Sequence, residues 1–270
     1  MPATMLPELS PLTRVIVVLL SVITAGTVVA GVTIVGPGRL RRLVRTVPRH
    51  LGEVAPYVAA LAIVLVVSAF AREPLQSVSE LYGLYLTGTL FAIEGEFVAW
   101  LQSHATDEAT RLLSWTYVYG YAFLLVFPLV AYAALEESTQ LKRLLAAYTL
   151  NYAIGLVVYT IVFAHGPRNV MPDLVTSLLY TTTPDFQHLT TQININSNVF
   201  PSLHTSLSVT VAALAYRTRD VYPSWAVVSG VLATGVVFST MYLGIHWALD
   251  VVAGTVLALA CVWIVCEYIE

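Results

Sequence analysis

Asn198-Val199-Phe200-Pro201-Ser202-Leu203-His204-Thr205-Ser206 runs from polar residues through a Pro-Ser pair into an apolar run that ends before Arg217-Thr218-Arg219-Asp220. This wording predicts a helix start. Asn198 and Ser202 supply capping oxygens, and Pro201 suits a first turn, where its missing N–H has no partner to lose. A helix N-terminus carrying a hydroxyl and an imidazole suits a phosphate, because its first N–H groups point outward.

Around this stretch the chain is 270 residues long, 57% hydrophobic and only 11% charged, with a mean hydropathy of +0.77. Soluble domains carry about 25% charged residues, so the composition reads as an integral membrane protein. A net charge of −3 with no basic stripe excludes a nucleic-acid partner.

Apolar runs predict an all-α polytopic membrane bundle of about seven spans, six being the alternative count. They are Leu12–Val35, Val54–Ala71, Arg111–Leu135, Leu144–Ala164, the run from Pro201, Pro223 to about Gly244, and His246–Cys266. The first reads as a retained helix, since it exceeds a signal-peptide core and only Arg14 is basic before it. Gly36-Pro37-Gly38 stops it, and the basic segment Arg39–Arg49 reads as a cytoplasmic loop. Between Leu81 and Leu101, Glu94 and Glu96 argue against a span and for one interfacial helix. Residues 1–110 therefore read as N-terminal membrane segments and 111–270 as the catalytic core. His165–Asn198 is a long polar loop marked by Pro167, Pro172 and Pro184. The late pair Cys261 and Cys266 lies about 140° apart on a helix, so no bridge is expected between them.

Alternating spans place nine of the thirteen basic residues on the Arg39–Arg49 side. Positive-inside bias makes that side cytoplasmic and puts the Pro201–His204 helix start, the His165–Asn198 loop and His246 outside. Hydropathy alone sets these spans, and those residues gather on one face.

Four residue types there carry chemistry. His246 and Asp250, four apart, read as one helix face on which a carboxylate orients an imidazole and raises its nucleophilicity; a structural His–Asp tie is the bland alternative. His204 has the proton-donor chemistry a leaving alkoxide needs, or else is satisfied by a carbonyl. Arg168 offers a guanidinium fork to phosphate oxygens, or else contacts headgroups. Ser202 is a plain cap or a phosphate contact.

Phe200-Pro201-Ser202-Leu203-His204 resembles the Pro-Ser-x-His motif of the type-2 phosphatidic acid phosphatase (lipid phosphate phosphatase) superfamily. Tyr242 to Asp250 resembles its His-x-x-x-Asp motif, and Pro167-Arg168 a degenerate first motif, in family order from about Leu144 to the C-terminus. The resemblance implies a membrane phosphoesterase acting on a lipid phosphate or diphosphate. His246 would attack phosphorus and form a phosphohistidine, Asp250 would orient it, and His204 would protonate the leaving group. Arg168, Ser202 and Pro201 would frame the phosphoryl oxygens. No metal or cofactor is implied, and oligomeric state is left open.

Two positions depart from the family pattern: Ile161 stands where a lysine is usual and Thr240 where an arginine is usual. His165, Asn169, Asn198 and Tyr242 are the candidates to replace those donors. The Ser239–Gly244 wording is closer to the inositol-phosphorylceramide-synthase-like (inositolphosphotransferase) branch, which transfers a phosphorylated headgroup to a lipid alcohol. Rival readings are a metal-dependent hydrolase built on His165, His204 and His246, and a non-catalytic transporter or scaffold.

Overall fold

The computed structural model describes residues 10–182 and 198–270. Pro184 and the Asn/Thr-rich part of the long polar loop lie outside the described residues.

The architecture is an all-α bundle. Helix α1 (Pro11–Ala30) starts with proline in its first turn and Ser10 as cap, whose Oγ accepts the Thr13 N–H at 3.2 Å. It runs through a π-helical turn, Gly31–Val35, and breaks at Gly36, where φ is +86°. That left-handed backbone is open to glycine at little cost.

Helix α2 (Pro37–Tyr82) follows without a loop. The Arg39–Arg49 segment, expected as a loop, is instead the first three turns of a 46-residue helix that continues through Pro48, Pro56 and Pro74. Arginine and leucine are good helix formers, so the run holds helical geometry despite its charge. At 1.5 Å per residue α2 is about 69 Å long, more than twice a hydrocarbon core. The second span, Val47–Ala71, is its middle.

The segment expected as one interfacial helix is broken. It comprises the end of α2, a two-residue strand β1 (Leu84–Tyr85), α3 (Thr87–Glu94) and α4 (Phe97–Gln102). Strand β1 pairs in parallel with β2 (Val162–Phe163), Leu84 opposite Val162 and Tyr85 opposite Phe163. Gly95, at φ +56°, ends α3 and turns the chain into α4.

The third span is α5 (Asp107–Trp115), a π turn (Thr116–Gly120) and α6 (Tyr121–Ala133) in one continuous path. Thr106 caps α5 by accepting the Ala109 N–H, and Asp107 and Glu108 complement the positive end of its dipole. The fourth span is α7 (Thr139–Ile161), which leads through β2 to the short helices α8 (Pro167–Val170) and α9 (Leu178–Thr182). Helices α10 (Leu203–Arg217), α11 (Pro223–Tyr242) and α12 (Ala248–Tyr268) complete the fold.

Among the described residues six helices are long and apolar enough to cross a membrane. The helix expected as the fifth span, α10, has 15 residues and rises only about 22 Å. It is the inner post of the bundle. Leu207, Val211, Leu214 and Ala215 are buried on it, and so are Thr205, Ser206, Ser208 and Thr210. Asn151 of α7 meets the polar side, accepting from Ser206 Oγ and donating to Thr210 Oγ1 at 3.1 Å. A buried amide in lipid surroundings needs such partners.

Contacts between helix ends sort them into two faces. At one end Arg42 meets Glu136 at 2.6 Å, Lys142 meets Glu53 at 3.5 Å, Arg39 lies over the Tyr222 ring and Arg143 donates to Ile269 O. This is the end that carries nine of the thirteen basic residues. At the other end α3, α4, α8 and the starts of α10 and α12 pack together around Trp247, which is fully buried.

Candidate active site

The turn between α11 and α12 is built by backbone. Gly244 takes φ +74°, and the N–H groups of Ile245 and His246 both donate to Thr240 O at 3.0 Å. Val175 Cγ1 lies only 2.7 Å from where a Cβ on Gly244 would sit, so glycine is required on two counts. The sequence predicts that His246 opens the last helix. Instead the paired amides hold it in the turn, and α12 begins at Ala248 with Trp247 as N-cap.

The expected His246–Asp250 pair forms all the same. Asp250 is the third residue of α12, and its Oδ2 reaches back to accept the Trp247 N–H at 2.9 Å while facing His246 Nδ1 at 3.3 Å. The juxtaposition comes from a cap-like reach across a turn, not from a shared helical face. Both side chains are buried, 5% and 0% exposed. Asp250 Oδ1 has no hydrogen-bond partner among the described residues.

Burial pushes the His246 imidazole down to about 3, the Arg168 charge adds to the effect, and a backbone hydrogen bond at Val199 opposes it. Hence the ring is held neutral at ordinary pH, with a lone pair on one nitrogen.

The start of α10 locks onto α12. Ser202 is its N-cap, with Oγ accepting the Thr205 N–H at 3.3 Å, and the Ser202 N–H donates to Asp250 O at 3.1 Å. Gly254 of α12 lies against Ser202 O, where an added Cβ would come within 2.4 Å. Pro201 is not in the first turn. It precedes the cap, after a cis peptide bond with Phe200, and its carbonyl accepts the Tyr159 hydroxyl at 2.9 Å. Asn198 is not a helix cap either: its Oδ1 accepts from the Ala164 and Phe200 amides and its Nδ2 donates to Tyr159 O and Val162 O. An Asn rich in local partners staples loops as readily as it caps helices.

Arg168 comes from α8, which is pressed against the same turn. Its N–H donates to Gly244 O at 3.4 Å, Trp247 Nε1 donates to His165 O at 2.8 Å, and an added Cβ at Gly166 would meet Ile245 O at 2.5 Å. The guanidinium lies over the Tyr180 ring at 5.6 Å, and its charge is felt at both His246 and Tyr117. His204 lies against Tyr117 and Tyr121, with ring centroids 4.6 and 4.5 Å away. Tyr117 lies within the π turn of the third span and Tyr121 directly follows it, a device frequent at functional sites.

His246, Asp250, Ser202 and Arg168 thus converge at one end of the bundle, with His204 beside Ser202 on an aromatic shelf. The departures from the family pattern also have places. Ile161 is 57% exposed at the end of α7, so that position faces outward. Thr240 is fully buried and shapes the turn through its carbonyl. Of the suggested replacements, Asn198 is consumed by the loop, and Tyr242 points its hydroxyl at Thr110 and the Thr106 N–H. Asn169 is exposed. His165 packs edge-on to Phe163 with a buried Nδ1 lacking a hydrogen-bond partner among the described residues.

Sequence reasoning missed three contributors. Tyr117 and Tyr121 read as interfacial aromatics, with nothing local tying them to His204. Glu94 reads as an interfacial charge, yet its carboxylate accepts the Ala248 N–H at 2.8 Å and the Leu249 N–H at 2.6 Å. An acidic residue inside an apolar stretch is the one signal that was available.

An oriented neutral imidazole, a second imidazole and a guanidinium suit nucleophilic attack on phosphorus. Among the described residues no group of three or more His, Cys, Asp or Glu side chains is arranged to hold a metal ion. Searches among curated proteins and solved structures returned no match. The profile of one family does match, over residues 86–264, which include every residue of the site just described. On that match, spanning well over half of the sequence, the chain belongs to the PAP2 superfamily.

Proposed function

We propose that the protein is a membrane phosphoesterase that hydrolyses a lipid phosphate or diphosphate through a phosphohistidine. Superfamily membership supports phosphatase or phosphotransferase chemistry on phosphorylated substrates. The observation that carries the finer reading is the buried contact of His246 Nδ1 with Asp250 Oδ2 at 3.3 Å. It leaves the other ring nitrogen with the lone pair, oriented by a carboxylate that is itself fixed by the Trp247 amide.

In the first step the His246 lone pair forms an N–P bond while the P–O bond to the lipid alcohol breaks. The electron pair leaves on the alkoxide, which takes a proton from His204. His204, now neutral, removes a proton from water. The resulting oxygen attacks phosphorus, the N–P bond breaks and phosphate departs. Arg168 balances charge on the equatorial oxygens, and the helix start at Ser202 adds its dipole.

Six lipid-length apolar helices support a substrate held in the bilayer. The basic end opposite the site supports an extracytoplasmic location in the cell membrane. The Ser239–Gly244 wording favours a second reading, in which a lipid alcohol replaces water and a phosphorylated headgroup is transferred.

Purified protein incubated with a panel of lipid phosphates, with and without an inositol-type acceptor, separates the two by free phosphate against a new lipid product. An acid-labile phosphoenzyme is expected with the native chain and absent in His246→Ala. Undiminished turnover by a folded His246→Ala variant discards the mechanism.

A further inference from the structure

Helix α12 has no side chain of its own that accepts the N–H groups of Ala248 and Leu249. Its N-cap is Trp247, whose indole only donates, and the Asp250 carboxylate reaches the Trp247 N–H but not the next two. Those two, on Ala248 and Leu249, are taken by the two oxygens of Glu94, at 2.8 and 2.6 Å, from 154 and 155 residues earlier in the chain. Glu94 is the last residue of α3, and α3 is tied down at both ends. At its start Leu86 N–H donates to Phe163 O at 2.9 Å beside the β1–β2 pair, and at its end Gly95 turns the chain by a positive φ. Phe91 of α3 packs edge-on to Trp247, with centroids 6.3 Å apart. The carboxylate therefore sits at the end of a short rigid strut, bonded to the two residues that immediately precede Asp250.

We propose, on the reading that His246 is the nucleophile, that Glu94 is a positioning residue for it. By fixing Ala248 and Leu249 it sets the tilt of the first turn of α12, and with it the angle at which Asp250 meets the His246 ring. Glu94 also occupies the seat at the α12 N-terminus that an anion would otherwise take. A phosphoryl group is thereby left to the α10 start and Arg168. Glu96, two residues on, is exposed and makes no hydrogen bond through its side chain among the described residues. It supplies an internal control of equal charge.

The test compares Glu94→Gln, Glu94→Ala and Glu96→Gln in the full-length detergent-solubilised protein. Two readouts are taken below the unfolding temperature of each. One is the ring-nitrogen NMR spectrum of His246, assigned by loss of its signals in His246→Ala; the other is kcat and KM on a lipid phosphate. A changed tilt of that first turn is expected to lower kcat on the order of 10- to 100-fold with KM within about twofold. It should also move the His246 ring-nitrogen signals, while Glu96→Gln matches the native chain in both. Unchanged His246 signals in both Glu94 variants overturn the inference whatever turnover does. Moved signals with native kcat overturn the catalytic importance of the alignment. Moved signals and reduced kcat, alongside a fully active His246→Ala, retain the positioning and discard the nucleophile.

Discussion

Replacing Gly254 by alanine adds a single carbon, but at a tight contact between the two helices that frame the site. The new Cβ would lie 2.4 Å from Ser202 O and 3.2 Å from Thr205 Cβ. Ordinary contact of carbon with oxygen or carbon needs roughly 3.4 Å or more, so the helices must part by about 1 Å. Ser202 O cannot swing aside, because it accepts the Ser206 N–H at 2.9 Å, and the Ser202 N–H is held by Asp250 O. Overpacking of this kind costs about 1–3 kcal/mol, against about 1 kcal/mol gained from alanine's helix propensity. The net loss of stability is modest, while a shift of about 1 Å between catalytic groups lowers rates on the order of 10²-fold. Activity should therefore suffer more than stability. Gly230 is the control: on α11 an added Cβ there meets nothing within 4 Å, so Gly230→Ala should keep turnover and melt no lower. Thermal unfolding in detergent, paired with lipid-phosphate turnover below the melting onset, measures both. A Gly254→Ala protein with native kcat and an unchanged melting temperature would refute the tight α10–α12 seam as the frame of the site.

The pH dependence of stability carries a sign. His246 titrates near about 3 in the folded chain against about 6.5 when unfolded, so the unfolded chain takes up the proton first. Its contribution is complete above about pH 6.5 and is lost as pH falls toward about 3, with a slope of at most ~1.4 kcal/mol per pH unit. Melting temperature should fall more steeply over that window for the native chain than for His246→Gln; parallel curves contradict it. Asp250→Asn keeps an oxygen for the Trp247 amide but loses the carboxyl group facing Nδ1. It should cut kcat roughly 10²-fold or more while staying above the His246→Ala background in a single-turnover assay. Arg168→Lys keeps charge and loses the fork, with about 1.5–3 kcal/mol at stake; steady-state kinetics should show kcat/KM down at least tenfold, and a native value removes Arg168 from phosphate binding.

Much of this fold was legible because apolar runs report directly on burial in lipid. The spans lie close to where composition puts them, and the His246–Asp250 pair was visible as a spacing. What stayed hidden depends on contacts between distant segments. Arg39–Arg49 reads as a loop by charge, yet it is helical because propensity, not polarity, decides local geometry. Leu81–Leu101 reads as one helix, whereas Gly95 and the β1–β2 pair break it. Glu94 announces itself as an oddity in an apolar stretch, but nothing local names the amides of Ala248 and Leu249 as its partners. Ser202 was readable as a cap because its partner, Thr205, is three residues away.

The shortness of α10 bears on how the protein is made. A 15-residue helix whose hydroxyls at 205, 206, 208 and 210 all turn inward gains too little from lipid to leave the translocation channel alone. It must wait for α11 and α12 to be synthesised and enter beside them as a group. A reporter fused just after Arg219 should therefore be found on the opposite side of the membrane from one fused there in a chain that still carries its last two helices.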